Sequence, residues 1–283
     1  MPVPQEGAQR ASGHRPFRAL RLAVIATLAT VMAVGGLATQ PHDVAAAGKK
    51  VVIVVGPVGA STANYIYNAR KLAAQARGYG ATVYEIYTPH ATWSRVRTLA
   101  QGANIFIYLG HGNGWPSPYG PFNRYTKDGL GLNAYDGSRS HKYYGEYYLD
   151  HYLNFAPNAV VILNRLCYAS GNSEPGRTLP TKATAIKRVD NYGAGFLRTG
   201  ARAVFAEGIS SASYILYSLF RTTRTMRQTF WADPTRNGAY DFAFSSVRTP
   251  GKTGILDPTS PSRYYRSVVG DLGMTATTWR SGG

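Results

Sequence analysis

The stretch Ala159–Glu174 reads Ala-Val-Val-Ile-Leu-Asn-Arg-Leu-Cys-Tyr-Ala-Ser-Gly-Asn-Ser-Glu, and it holds the only cysteine in the chain. A run this short and this apolar, bounded by polar and glycine residues, predicts a strand covered on both faces, as in a parallel sheet. In open α/β sheets ligands bind just beyond the carboxyl ends of such strands. Cys167 therefore stands where chemistry is placed.

Working outward, the same pattern repeats. Lys50–Val55 predicts a first strand, and Ser61 or Thr62 can cap a helix running to about Arg77, closed by Gly78-Tyr79-Gly80. Thr82–Tyr87 predicts a second strand and Thr92–Gln101 a second helix. Asn104–Leu109 is a third apolar strand, ending in Gly110-His111-Gly112. A long link rich in Gly, Pro, Tyr and Asn runs from Trp115 to about Lys142 and reads as a wall or lid. A short aromatic helix over Tyr143–Leu153 leads to the Cys167 strand. Beyond it lie a helix over Lys182–Thr199, a fifth strand over Ala201–Ala206 and one long helix to about Phe230. Past Trp231 the signals weaken, with one more strand expected within Tyr264–Leu272. Strands alternating with helices across short links predict an α/β fold: a mostly parallel sheet in a three-layer α/β/α sandwich.

The first 47 residues predict a secretory signal peptide. Arg10, Arg15, Arg18 and Arg21 precede an uncharged apolar stretch, Leu22–Ala38, and a small-residue site at Val44-Ala45-Ala46-Ala47. Cleavage near Ala47 would give a secreted, extracellular protein with no membrane contact. An uncleaved membrane anchor is the alternative, because the stretch is close to the minimum length of a span. Residues 48–283 then form one domain, with 231–283 as a less defined C-terminal extension. The whole chain carries a formal charge of +17, and loss of the leader's four basic and two acidic residues leaves about +15. A chain this basic is drawn to anionic cell-surface polymers. Its basic residues are scattered, so no specific nucleic-acid partner is expected. A lone cysteine excludes an internal disulfide, leaving a buried thiol, an intermolecular bridge or a working nucleophile.

Two predicted strands end in reactive side chains, His111 and Cys167. Were those strands neighbours, both groups would emerge at one sheet edge as a base and a nucleophile. Gly112 lets the backbone approach a substrate carbonyl, and its N–H, with that of Cys167, would serve a developing oxyanion. Other chemistries find less support. Gly56–Thr62 lacks the Gly-Lys-Ser/Thr of a phosphate loop, so no cofactor is expected. Ser170 lies in no Gly-x-Ser-x-Gly elbow. His141 and His151 are ten positions apart without metal-ligand spacing, so no metal is expected.

An apolar strand ending in Gly110-His111-Gly112, a second ending at Cys167, and Phe196-Leu197-Arg198-Thr199-Gly200-Ala201 leading into the next strand together resemble the caspase/gingipain/clostripain clan of cysteine peptidases. The resemblance spans roughly Val51–Phe230. It implies a caspase-like fold, Cys167 as nucleophile, His111 as catalytic base or proton donor, and Gly112 in the oxyanion hole. It also implies a peptide or protein substrate. The clan often carries an acid or glutamine two positions before the cysteine and alanine just before it, where this chain has Arg165 and Leu166. In several members that first position lines the pocket for the residue before the scissile bond. Arg165 there would prefer an acidic residue. Asn164 and Asp190 are further substrate-binding candidates. Alternatively Arg165 points away and pairs with Glu146 or Asp150, or a loop acid, Asp190 or Glu174, enters the pocket and reverses the preference. The expected function is thus a secreted cysteine endopeptidase with a Cys–His dyad. The alternative is a catalytically inactive caspase-like domain that binds a cell-wall polymer or protein partner through some of its 21 tyrosines and 4 tryptophans.

Overall fold

Apolar strands with no polar alternation need cover on both sides, and the structure supplies it. The computed structural model describes residues 48–282. The predicted leader, residues 1–47, lies outside the described residues. In chain order the elements are β1 (Lys50–Val55), α1 (Thr62–Gly78), β2 (Thr82–Tyr87), α2 (Trp93–Leu99), β3 (Ile105–Leu109), β4 (Leu130–Asn133), β5 (His141–Tyr144), α3 (Glu146–Tyr152) and β6 (Ala159–Asn164). Then come α4 (Lys182–Leu197), β7 (Ala201–Glu207), α5 (Ser213–Arg221), α6 (Met226–Phe230), β8 (Phe242–Ser245), β9 (Thr253–Leu256), β10 (Arg266–Gly270) and α7 (Ala276–Ser281).

Eight strands make one mixed sheet in the order β2-β1-β3-β6-β7-β10-β9-β8. The first five are mutually parallel, and β10, β9 and β8 add an antiparallel wing beside β7. Successive side chains of a strand point to opposite faces, and two separate cores result. Val51, Ile53 and Val55 pack with Leu72 of α1 and with Ile215 and Leu219 of α5. Val52 and Val54 pack on the other face with Val96 of α2 and with Val189 and Tyr192 of α4. Helices on both faces are compatible with a three-layer sandwich. Among the described residues, no helix is long and apolar enough to cross a membrane.

Three expectations need correction. The single long helix to Phe230 is two helices. Thr222 breaks it, and Thr225 restarts it with a capping box to Gln228. The long link from Trp115 contains a two-stranded hairpin, β4–β5, and β5 takes the first residues assigned to the aromatic helix. The C-terminal segment is part of the main sheet. β8 has the faint alternation Phe-Ala-Phe-Ser, but each of the wing's strands is only four or five residues long, which is why the pattern is weak in sequence.

The wing is attached by a buried ionic knot. The Arg266 guanidinium of β10 meets Glu207 of β7 at 3.2 Å, Asp233 at 2.9 Å and Asp257 at 2.6 Å, and donates to the Phe230 carbonyl at 2.7 Å. One cation serves three buried carboxylates, and desolvation dominates at Glu207. Burial pushes its carboxyl up to about 8, against the opposing pull of Arg266 and of the Tyr214 hydroxyl. Glu207 thus keeps its proton in the folded chain across a range where an unfolded glutamate has lost it. Its contribution to stability is complete below the unfolded value near 4.5 and fades as pH rises through about 8. Asp128, also buried and raised to about 8, acts with the same sign. Urea midpoints should therefore fall between pH 5 and pH 9, and Glu207→Gln should flatten part of that slope. An unchanged slope in E207Q would place the proton elsewhere.

Candidate active site

The site begins with Tyr108, the fourth residue of β3, whose ring is wholly buried. Its hydroxyl accepts the Gly131 N–H at 2.8 Å and lies 2.9 Å from the Gly131 carbonyl and 3.0 Å from the His111 carbonyl. A buried tyrosine needs partners for its polar end, and these partners fasten the loop after β3 to the β4 strand. The glycines flanking His111 follow from close approach. A Cβ on Gly110 would lie 2.2 Å from the Tyr108 hydroxyl, and one on Gly112 would lie 2.0 Å from the Cys167 carbonyl oxygen. The Gly-His-Gly sequence is thus the shape of a chain squeezed between a tyrosine ring and the cysteine loop.

β3 and β6 are adjacent and parallel, with Leu109 opposite Asn164. His111 and Cys167 consequently leave the sheet at the same edge. The cysteine turn is held in an unusual backbone, with Arg165 at φ +62° and Tyr168 at φ +70°. Such conformations persist only where surroundings enforce them. Here the Arg165 N–H donates to the Glu207 carbonyl at 2.7 Å, and its own carbonyl accepts the Tyr65 hydroxyl at 3.0 Å. From the other side α4 clamps both loops. Arg188 donates to the carbonyls of Pro116, Gly171 and Asn172, and Asn191 to that of Trp115. The Tyr192 hydroxyl accepts the Asn113 N–H.

Cys167 is half-buried and lies between two hollows. One, of about 620 Å³, is lined by His111, Gly112, Tyr143, Cys167 and Glu174 among others. The second, of about 650 Å³, joins Cys167 and Glu174 to Tyr65, Arg165, Arg177 and Arg263. Among the described residues, no acceptor receives the N–H of Gly112 or of Cys167. Buried backbone donors are nearly always paired, and the buried Gly112 N–H departs from that rule. No hydrogen bond joins the Cys167 sulfur to the His111 ring. Burial, reinforced by the negative charge of Glu174, pushes the thiol up to about 11. Burial, with the neighbouring His141, lowers the His111 imidazole, against a smaller opposing pull from Glu174. Near neutral pH the pair is therefore thiol and neutral imidazole.

No protein family matches this chain, and neither a curated protein nor a solved structure matches it.

The structure brings His111, Gly112 and Cys167 together, and Arg165 lies beside them. Arg165 does not pair with Glu146 or Asp150, which instead hold Arg198 and, for Glu146, Arg248. Its Nε is buried with no partner among the described residues. The other two substrate-binding candidates are elsewhere engaged. The Asn164 amide donates to the carbonyls of Glu207 and Ser210, bracing the ends of β6 and β7. Asp190 accepts the Ser246 hydroxyl at 2.5 Å and the N–H groups of Val247 and Arg248, anchoring the loop between β8 and β9. Neither lines the two hollows. Ser170 is buried and donates to the Tyr264 carbonyl at 2.8 Å. The loop acid that does reach the site is Glu174, which accepts the Tyr119 hydroxyl at 2.6 Å and lies 4.0 Å from Arg177. Tyr108, Tyr143, His141 and the α4 clamp carry no sequence motif. Their only signal was position: a tyrosine inside an apolar strand and polar residues on a buried helix face. Among the described residues, no group of three or more His, Cys, Asp or Glu could hold a metal ion.

Two outcomes are expected. Tyr108→Phe leaves the Gly131 N–H buried without an acceptor, which should cost about 1–3 kcal/mol in denaturant unfolding. Iodoacetamide should label Cys167 slowly at pH 7 and about tenfold faster per pH unit through pH 10, since the thiolate is the reacting form. Glu174→Gln should raise the neutral rate by lowering the thiol's affinity for its proton. A rate already on a plateau at pH 7 would show a preformed thiolate and contradict this electrostatic account.

Proposed function

We propose that this chain is a cysteine endopeptidase of caspase-like architecture, with Cys167 as nucleophile and His111 as base. The observation that carries the reading is the convergence of Cys167, His111 and the unpaired Gly112 N–H on one hollow at the carboxyl edge of adjacent parallel strands. Because the thiol is protonated, attack is coupled to proton transfer. The sulfur bonds to the scissile carbonyl carbon as its proton passes to His111. The carbonyl oxygen takes up the electron pair and is met by the Gly112 and Cys167 N–H groups. Collapse of this adduct expels the amine, which takes the proton from His111. Water, deprotonated by His111, then attacks the thioester, and the acid leaves with the thiol restored.

The second hollow favours an acidic residue before the scissile bond. Arg165 is unpaired there and is joined by Arg177 and Arg263, whereas the charge of Glu174 is opposed by Arg177 and its oxygen is occupied by Tyr119. An unpaired guanidinium next to the nucleophile suits a bidentate carboxylate contact. Export to the cell exterior is proposed from residues 1–47, and attraction to anionic surface polymer from the net charge of about +15 that loss of the leader's four basic and two acidic residues leaves from +17.

The raised thiol and the missing sulfur–imidazole hydrogen bond favour the second reading, an inactive caspase-like domain that binds polymer or a partner. A peptide library read by mass spectrometry separates the two. Cleavage after Asp or Glu is expected, with Cys167→Ala and His111→Ala each reducing kcat/KM by at least about a thousandfold. Arg165→Ala should lower it for acidic peptides and relax the preference. Cleavage confined to Lys or Arg overturns the acidic preference, and absence of cleavage leaves the binding domain.

A further inference from the structure

We infer that His141 is a positioning residue for His111, holding its ring in place through a tilted contact between the two imidazoles. The inference rests on the peptidase reading only for its consequence in catalysis; the pairing itself stands on geometry.

A catalytic imidazole is normally oriented by a group that accepts a hydrogen bond from its far nitrogen. Among the described residues, neither His111 nitrogen has such a partner, and the nearby carboxylate, Glu174, is bound to Tyr119. What His111 has instead is another ring. The centroids of His111 and His141 are 4.7 Å apart with planes inclined at 38°, and Tyr143 backs His141 edge-on at 4.9 Å. The contact is built into the fold. His141 pairs with Asn133 across the β4–β5 hairpin. Asn133 is fully buried and pinned by its side chain to the Ala91 N–H and the Thr88 hydroxyl. Two residues earlier, Gly131 is tied to Tyr108, whose hydroxyl also meets the His111 carbonyl. A Cβ on Gly131 would lie 3.2 Å from that of His111, so the glycine lets the hairpin close onto the histidine.

Each element around His111 contributes a charge or a titrating group. The hairpin gives His141 and Tyr143, the loop after Cys167 gives Glu174, the loop after β3 gives Tyr119, and the β6 turn gives Cys167. Glu174 favours protonation of His111, and His141 opposes it. His141 stands at the exposed edge of the hairpin, and burial of its ring against the hairpin lowers it as well. Once it carries a proton, its charge resists a second one on His111. The base thus remains neutral, and able to accept the thiol proton, further into acid than an isolated imidazole.

Histidine-labelled full-length chain, followed by NMR through a pH titration, tests this without substrate. His141→Phe keeps a ring against His111 but removes the charge, and the His111 midpoint should rise by at least about 0.5 pH unit. His141→Gln, a smaller change to the hairpin, should move it the same way. In turnover, the acid limb of kcat/KM should move to higher pH in H141F by a matching amount, with KM little changed. A His111 midpoint unmoved in both variants overturns the inference. If wild-type chain cleaves no peptide yet the midpoints move as expected, the pairing stands and the peptidase reading fails.

Discussion

One hydroxyl, that of Tyr108, holds the site together. It sits in a dry interior where a polar atom without partners is costly, and the backbone arranged to satisfy it is that of the functional loops. The Gly131 N–H, the Gly131 carbonyl and the His111 carbonyl all converge on it. The demand for satisfaction thus sets the distance between the sheet edge and the β4–β5 hairpin. It also explains why glycine stands at 110, where the ring leaves no room. The backbone of the reactive histidine is placed by a requirement of the core, and its ring lies against that of His141.

The cysteine is placed by a different device. Its turn departs from ordinary backbone at Arg165 and Tyr168, and is stretched between β7, through the Glu207 carbonyl, and α1, through Tyr65. The α4 residues Arg188, Asn191 and Tyr192 then tie this turn to the loop after His111. Two loops are fixed by polar groups on rigid elements, the arrangement that gives a binding site its precision, and the cysteine loop also sinks Leu166, Tyr168 and Ala169 into the core.

The middle of the parallel half was legible because β1, β3 and β6 are buried on both faces and read as short, mainly aliphatic runs. Lys50–Val55 and Asn104–Leu109 became strands within a residue of their expected limits, whereas the strand expected to run to Cys167 stops at Asn164, where Arg165 turns to φ +62°. Periodicity says little about the antiparallel wing, where strands of four or five residues are held by Arg266 and its carboxylates and only β10 falls within an expected strand. The site was legible where a local motif marked it, at His111, Gly112 and Cys167. It was not legible where a long-range contact decides a side chain's role. Asp190 and Asn164 sit at plausible positions in the chain but are consumed by backbone donors or acceptors dozens of residues away. His141 looked idle because its partner is thirty positions upstream.

The order of strands has a consequence for biosynthesis. β10, spanning residues 266–270, lies between β7 and β9, so β7 remains an open sheet edge until nearly all of the described chain has left the ribosome. Only then does Arg266 reach Glu207, the residue whose carbonyl braces the cysteine turn. Open edges are the part of a sheet most prone to pairing with other chains. A nascent or truncated copy therefore exposes an adhesive border, which is closed by the arrival of one late strand.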